Sequence, residues 1–113
     1  MNTQQKNMII IWLIALIIIL IGAFQPIQPP HTYYINEIIH FSSFAILSFL
    51  IPKFIKNIHV LIFSLVGVIA IITGIEVLQS YTPTRMGSFP DFLAGTIGAT
   101  IGMLIGYMTT KRA

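Results

Sequence analysis

The sequence predicts an all-α, polytopic membrane protein of four transmembrane helices, with both termini on the cytoplasmic side. Three observations carry that expectation. First, of 113 residues 56% are hydrophobic and 8% are charged, against roughly 25% charged in an ordinary soluble domain. So few charges cannot cover a water-facing surface. Second, the apolar residues gather into four long runs. Third, the six Lys and Arg are spread unevenly over the connections. The same composition excludes disorder, which needs low hydrophobicity and many charges. The absence of cysteine excludes a disulfide framework and a thiolate metal site. A net charge of +3 in such a chain is no nucleic-acid signature, and no nucleic-acid partner is expected.

An apolar run of about 20 residues crosses the roughly 30 Å hydrocarbon core as a helix. The first run, about 8–24, is an Ile/Leu block without charge, and Pro26, Pro29 and Pro30 follow it. Proline lacks the amide donor and restricts its predecessor, so the helix stops there. The second run, about 35–51, ends at Pro52 and Lys53. The third spans about 58–79 and the fourth about 89–108. Isoleucine is a poor helix former in water, but a bilayer demands internal backbone bonding. Short connections make neighbours antiparallel, and residues 1–113 form a single transmembrane domain. The first run is not read as a cleaved signal: its core is long for one and no convincing A-x-A site follows.

Orientation follows from the cationic residues. With the N-terminus inside, Lys6, Lys53, Lys56, Lys111 and Arg112 are cytoplasmic and Arg85 alone is outside. Residues near 25–34 and 80–88 then face out. Tyr33, Tyr34, Tyr81 and Phe89 fall near the outer boundary, where amphipathic aromatics are favoured.

This topology gathers the rare polar residues. Glu37 and His40 lie in the first turns of the second helix, Glu76 and Gln79 in the last turns of the third. Arg85 lies in the next connection, and Asp91 in the first turn of the fourth helix. Glu37/His40 and Glu76/Gln79 are i,i+3 pairs that share a helix face, and Thr73 continues the stripe below Glu76. An acid at mid-membrane costs about 2.5–3.5 kcal/mol on insertion scales, so these groups should turn inward and find partners. Arg85 is the cation with a bidentate fork for Glu76 or Asp91. The expectation is a shallow polar pocket open to the outside.

Each residue also has a plainer reading. Ser88 and Asp91 form the S-x-x-D pattern of a helix cap, and a first-turn acid suits the helix dipole. Glu37 suits headgroup water, His40 an interhelical hydrogen bond, and Glu76 simple pairing with Arg85. His31 and His59 sit at boundaries and carry no special reading. No metal and no cofactor is expected, because there is no H-E-x-x-H pair and a single histidine lies in the cluster. Ser42 and Ser43 adjoin His40 in sequence, and adjacent helix positions do not face each other. On the fourth helix Ala94, Gly98, Gly102 and Gly106 repeat every four residues, a ridge for close helix packing. Packing within the bundle is favoured over a homodimer. Gly95 and Ala99 broaden that face, and Ser64, Gly67 and Gly74 give the third helix a similar narrow side.

The run Asn36-Glu37-Ile38-Ile39-His40-Phe41, then Glu76-Val77-Leu78-Gln79, then Pro83-Thr84-Arg85, then Asp91 through Gly98 resembles the VanZ-like family. These are small bacterial membrane proteins of about four helices, named after a teicoplanin-resistance accessory protein. His40, Glu76, Gln79, Arg85 and Asp91 match its motif positions. Two positions depart from it. Asn36 and Glu37 stand where the family usually has Asp-Lys, and Gly95 where it often has Asn. The resemblance implies a multi-pass protein of the bacterial cytoplasmic membrane, part of the cell envelope, that contributes to glycopeptide resistance. It implies no reaction.

The leading expectation is therefore a non-enzymatic accessory or binding protein. Its pocket, lined by Glu37, His40, Glu76, Gln79, Arg85 and Asp91, would engage membrane lipids, a lipid-linked envelope precursor or an anionic envelope polymer. Two alternatives stay open: an intramembrane enzyme on such a lipid, with His40 or Glu76 as general base, or a small transporter.

Overall fold

The computed structural model describes residues 2–24, 35–81 and 89–110. They form helix α1 (Thr3–Ala23), helix α2 (Ile35–Leu50), a 3-10 turn (Ile51–Lys53), helix α3 (Ile58–Ser80) and helix α4 (Phe89–Thr109). There is no strand among the described residues. Helices α1, α3 and α4 are long and apolar enough to cross a membrane. Helix α2, with 16 residues, is roughly 24 Å long at 1.5 Å per residue, and the 3-10 turn extends it.

Helix α1 begins at Thr3, not at residue 8 where the apolar run begins. The Asn2 side chain accepts the Gln5 amide at 2.8 Å, and the Asn2 amide donates to Gln5 Oε1 at 3.0 Å. This reciprocal capping box satisfies amides that a helix start otherwise leaves unbonded. Hydropathy marks only the part of a helix that sits in hydrocarbon, so it missed a polar first turn and a half. Helix α2 gives way to the 3-10 turn beside Pro52. Asn57 starts α3 by accepting from the amides of His59 and Val60 at 2.8 and 3.4 Å.

Helices α2 and α4 run parallel and form the tightest pair. A Cβ added at Gly98 would overlap the Phe41 backbone, one at Gly102 the Ala45 backbone, and one at Gly106 the Phe49 backbone. Three glycines spaced by four thus lie on three α2 residues spaced by four, with no side chain between the helices. The core continues from this seam through Phe44, Leu47, Ile72, Ala99 and Met103. Gly95 fits under Phe44 and Ile72, whose side chains stand 3.3 Å from where its Cβ would be.

Helix α1 is peripheral and has no buried residue. Ile10, Ile14 and Ile18 are more than half exposed, which in a bilayer means contact with lipid chains rather than water. Trp12 ties α1 to the bundle: its Nε1 donates to the Leu47 carbonyl at 3.1 Å, and its ring meets Phe54 edge-on at 6.3 Å. On α3, Gly67 and Gly74 are exposed and a Cβ at either would meet nothing within 4 Å. The narrow side of α3 therefore makes no close backbone contact like that of α4, and Ser64 and Gly67 border an open cleft that Trp12 of α1 also lines.

The starts of α1 and α3 and the ends of α2 and α4 lie at one end of the bundle, where Lys53 Nζ donates to Thr109 Oγ1 at 3.1 Å. The other end gathers the end of α3 with the starts of α2 and α4.

Candidate functional site

Three helices deliver one ionisable side chain each to that second end. His40 is the sixth residue of α2, Asp91 the third of α4, and Glu76 lies four residues before the end of α3. At 1.5 Å per residue all three sit roughly 3–8 Å inside their helix ends, shallow enough to be reached from a membrane surface. They are nonetheless buried: Asp91 is 4% exposed, and His40 and Glu76 are each 9% exposed.

His40 stands between the two acids. Its Nδ1 lies 3.6 Å from Glu76 Oε1 and its Nε2 lies 3.9 Å from Asp91 Oδ2. Both distances exceed a direct hydrogen bond and fit an ion-pair or water-bridged contact. Phe44, one turn on in α2, packs a tilted ring 6.2 Å from the imidazole. Sequence reasoning did not single out Phe44; its i,i+4 spacing from His40 was the available signal.

Donor atoms of His40, Glu76 and Asp91 lie within 4.8 Å of one another. One imidazole and two carboxylates are a chemically suitable set for a divalent cation. The arrangement is looser than a closed shell, in which bonds of about 2.1 Å bring donors to roughly 3–4 Å. The shortest contact to each acid uses a different imidazole nitrogen. The geometry is better suited to holding or relaying a proton between carboxylates, or to presenting charge to a polar ligand.

The other expected site residues divide. Gln79 is 2% exposed, and its Nε2 donates to the Ala23 carbonyl at 2.7 Å. That carbonyl ends α1 and has no acceptor role within its own helix. Gln79 thus caps α1 and fastens it beside the cluster. Glu37 is half-buried and stands outside the three-residue group. Thr73 does not continue the stripe: it is exposed and its hydroxyl donates to the Ile69 carbonyl at 2.9 Å. A step of three residues turns the face by about 60°, enough to leave the interface. Ala94 is half-buried on the α4 seam, while Gly98, Gly102 and Gly106 are buried there. Tyr81 and Phe89 are exposed at this end, and His59 is exposed at the other. Arg85, Ser88, His31, Tyr33, Tyr34, Lys111 and Arg112 lie outside the described residues.

Gln79→Leu is expected to free the end of α1. Losing the hydrogen bond leaves the Ala23 carbonyl without its donor, at a cost of about 1–3 kcal/mol. Amide exchange should accelerate in the last turn of α1, whereas Ser80→Ala, whose hydroxyl donates to the Glu76 carbonyl of its own helix, should change nothing in α1. Equal exchange in both variants would remove Gln79 from this role.

No curated protein and no solved structure is significantly similar to the chain. The family model described as VanZ/LLP1, however, matches residues 1–110. That match takes in the whole cluster and the glycine seam beneath it. The protein is a member of the VanZ/LLP1 family.

Proposed function

We propose that the chain crosses the bacterial cytoplasmic membrane four times with both termini inside, and that it binds a polar envelope component at the outer leaflet. The supporting observation is the meeting of His40, Glu76 and Asp91 from three helices at the end opposite Lys53 and Lys56. Lys and Arg favour the cytoplasmic side, which turns the acidic end outward. Buried acids near a membrane are costly, and chains retain them chiefly for function. Arg85, in the connection between α3 and α4, supplies a fork for phosphate or carboxylate. The ligand in this reading is a lipid-linked precursor headgroup or an anionic polymer, and the protein acts as a non-enzymatic accessory. Family membership supports a role in lowered sensitivity to teicoplanin-type glycopeptides. Binding of purified protein to envelope lipids tests it: Glu76→Gln and Arg85→Ala are expected to weaken binding at least tenfold and to restore teicoplanin sensitivity. Unchanged binding in both variants rejects the reading.

The position of His40 between two carboxylates favours one second reading, an intramembrane enzyme on a lipid or lipid-linked sugar. His40 would be general base, and one acid would orient the ring. Mass spectrometry of envelope lipids with and without the gene separates the two, since only an enzyme leaves an altered species.

A further inference from the structure

A cavity of about 430 Å³ opens at the end of the bundle away from the acidic cluster. The start of α1, the 3-10 turn and the end of α4 wall it, and Asn2, Gln4, Gln5, Lys53, Thr109 and Thr110 line it. The hydrogen bonds around it decide what it can recognise. Asn2 Oδ1 accepts the backbone amide of Gln5 at 2.8 Å, and Gln5 Oε1 accepts the backbone amide of Asn2 at 3.0 Å. A backbone N–H can only donate, so both side-chain oxygens are engaged and both side-chain NH₂ groups are left to donate. The hydroxyl protons of Thr109 and Thr110 go to the carbonyls of Ile105 and Gly106, at 2.8 and 2.6 Å. Lys53 Nζ donates to Thr109 Oγ1 at 3.1 Å and rests 4.6 Å over the Phe49 ring.

We infer that this cavity binds a phosphate oxyanion, carried either by a lipid headgroup or by a soluble phosphate. After the internal bonding, the groups left over on its walls are chiefly donors. They are the NH₂ groups of Asn2, Gln4 and Gln5 and the remaining N–H bonds of the Lys53 ammonium, which has three donors and spends one on Thr109. A neutral ligand needs acceptors as well as donors, whereas an oxyanion only accepts. Lys53 is held in place before any ligand arrives, which lowers the ordering cost of binding. Among the described residues no carboxylate lies within ion-pairing distance of it, and the three acidic side chains of the chain belong to the other end. Lys56 also borders the cavity; it is already engaged in a contact of its own, and the site is built without it. The donors stand on two walls, the start of α1 and the 3-10 turn. A tetrahedral phosphate has oxygens for both walls, whereas a planar carboxylate presents its two oxygens on one side. The inference is independent of the His40 cluster and of what that cluster binds.

The test uses the purified full chain in lipid-free, uncharged detergent, with the backbone amide shifts of Gln5, Lys53 and Thr109 as the readout. The probes are inorganic phosphate, acetate, and phosphatidic acid against diacylglycerol of identical chains. A saturable shift with inorganic phosphate shows that a soluble phosphate suffices. A shift with phosphatidic acid alone assigns the site to a headgroup. Lys53→Gln should weaken binding of the active probe about tenfold, the worth of one charged hydrogen bond. Gln5→Glu is the sharper variant. A capping box takes Glu as well as Gln at this position, so the start of α1 is kept, while a donor becomes a carboxylate. It should weaken binding by about tenfold or more, which a purely structural role of Gln5 would not produce. Lys6→Gln changes an exposed cation of the same helix that does not line the cavity, and affinity should be unchanged. Four results would overturn the site: no saturable shift with either phosphate probe, acetate binding as tightly as phosphate, unchanged binding in both Lys53→Gln and Gln5→Glu, or an effect of Lys6→Gln equal to that of Lys53→Gln. The first denies binding, the second denies recognition of phosphate, the third places the anion elsewhere, and the last reduces it to surface charge.

Discussion

Gly102→Val is expected to prevent the bundle from assembling. A Cβ at position 102 would overlap the Ala45 carbonyl oxygen, with the Ala45 carbonyl carbon and Cα both at 2.7 Å. These are backbone atoms of a packed helix, so no rotamer change relieves the clash. Helices α2 and α4 must separate, and the contacts at Gly98 and Gly106 open with them. Overpacking a core typically costs 1–3 kcal/mol when side chains can move; with backbone on both sides, about 3 kcal/mol is a lower estimate here. The consequence reaches the site, because α2 carries His40 and α4 carries Asp91. Gly67→Val and Gly74→Val provide matched controls. They add the same side chain to helix α3 where a Cβ meets nothing within 4 Å. Thermal unfolding of the purified proteins in detergent should rank Gly102→Val far below wild type and both controls near it. If all three lose stability equally, the effect belongs to valine in a helix and not to the seam.

The contrast between those glycines shows what the sequence could and could not convey. Small residues on α3 and α4 look alike in composition. The α4 set recurs every four residues through 98, 102 and 106, which draws a continuous groove along one face; Gly67 and Gly74 are seven apart and draw none. The helix positions were legible because four apolar runs and their proline stops leave few alternatives. The convergence of His40, Glu76 and Asp91 was legible because a charge in hydrocarbon must face a partner, and topology leaves one end for it. Gln79 was placed in the right region but not in its contact. That it bonds the Ala23 carbonyl depends on how α1 leans on α3, and no spacing within either helix encodes that angle. Thr73 failed for a related reason: i,i+3 neighbours share a face only loosely, and the edge of the α3 interface falls between Thr73 and Glu76. The capping box at Asn2 and Gln5 was present in the N-x-x-Q spacing, but lay outside the apolar run.

His40→Leu should be the most damaging substitution within the cluster, and its rescue should be diagnostic. The imidazole separates two carboxylates whose donor atoms lie within 4.8 Å of its own and of each other. Removing it takes the imidazole from between Glu76 and Asp91, both at least nine-tenths buried. Removing one partner of a buried ion pair typically costs about 3–5 kcal/mol. Leucine adds no polar group to take the imidazole's place, although it fills part of its volume beside Phe44. Adding Glu76→Gln to His40→Leu neutralises one of the two acids at almost unchanged shape. The double variant should therefore be more stable than His40→Leu alone, even though Glu76→Gln by itself is expected to destabilise. Such a reversal of sign requires that the residues interact, since distant sites add within about 0.5 kcal/mol. Unfolding midpoints of the four proteins in the cycle decide the matter. Simple additivity would mean that His40 and Glu76 act separately, and a site built from both would then have no energetic basis. A reversal would mean that the three helices are joined by one electrostatic unit. Substitution at any one position should then disturb ligand binding at the other two, even though each residue comes from a different helix.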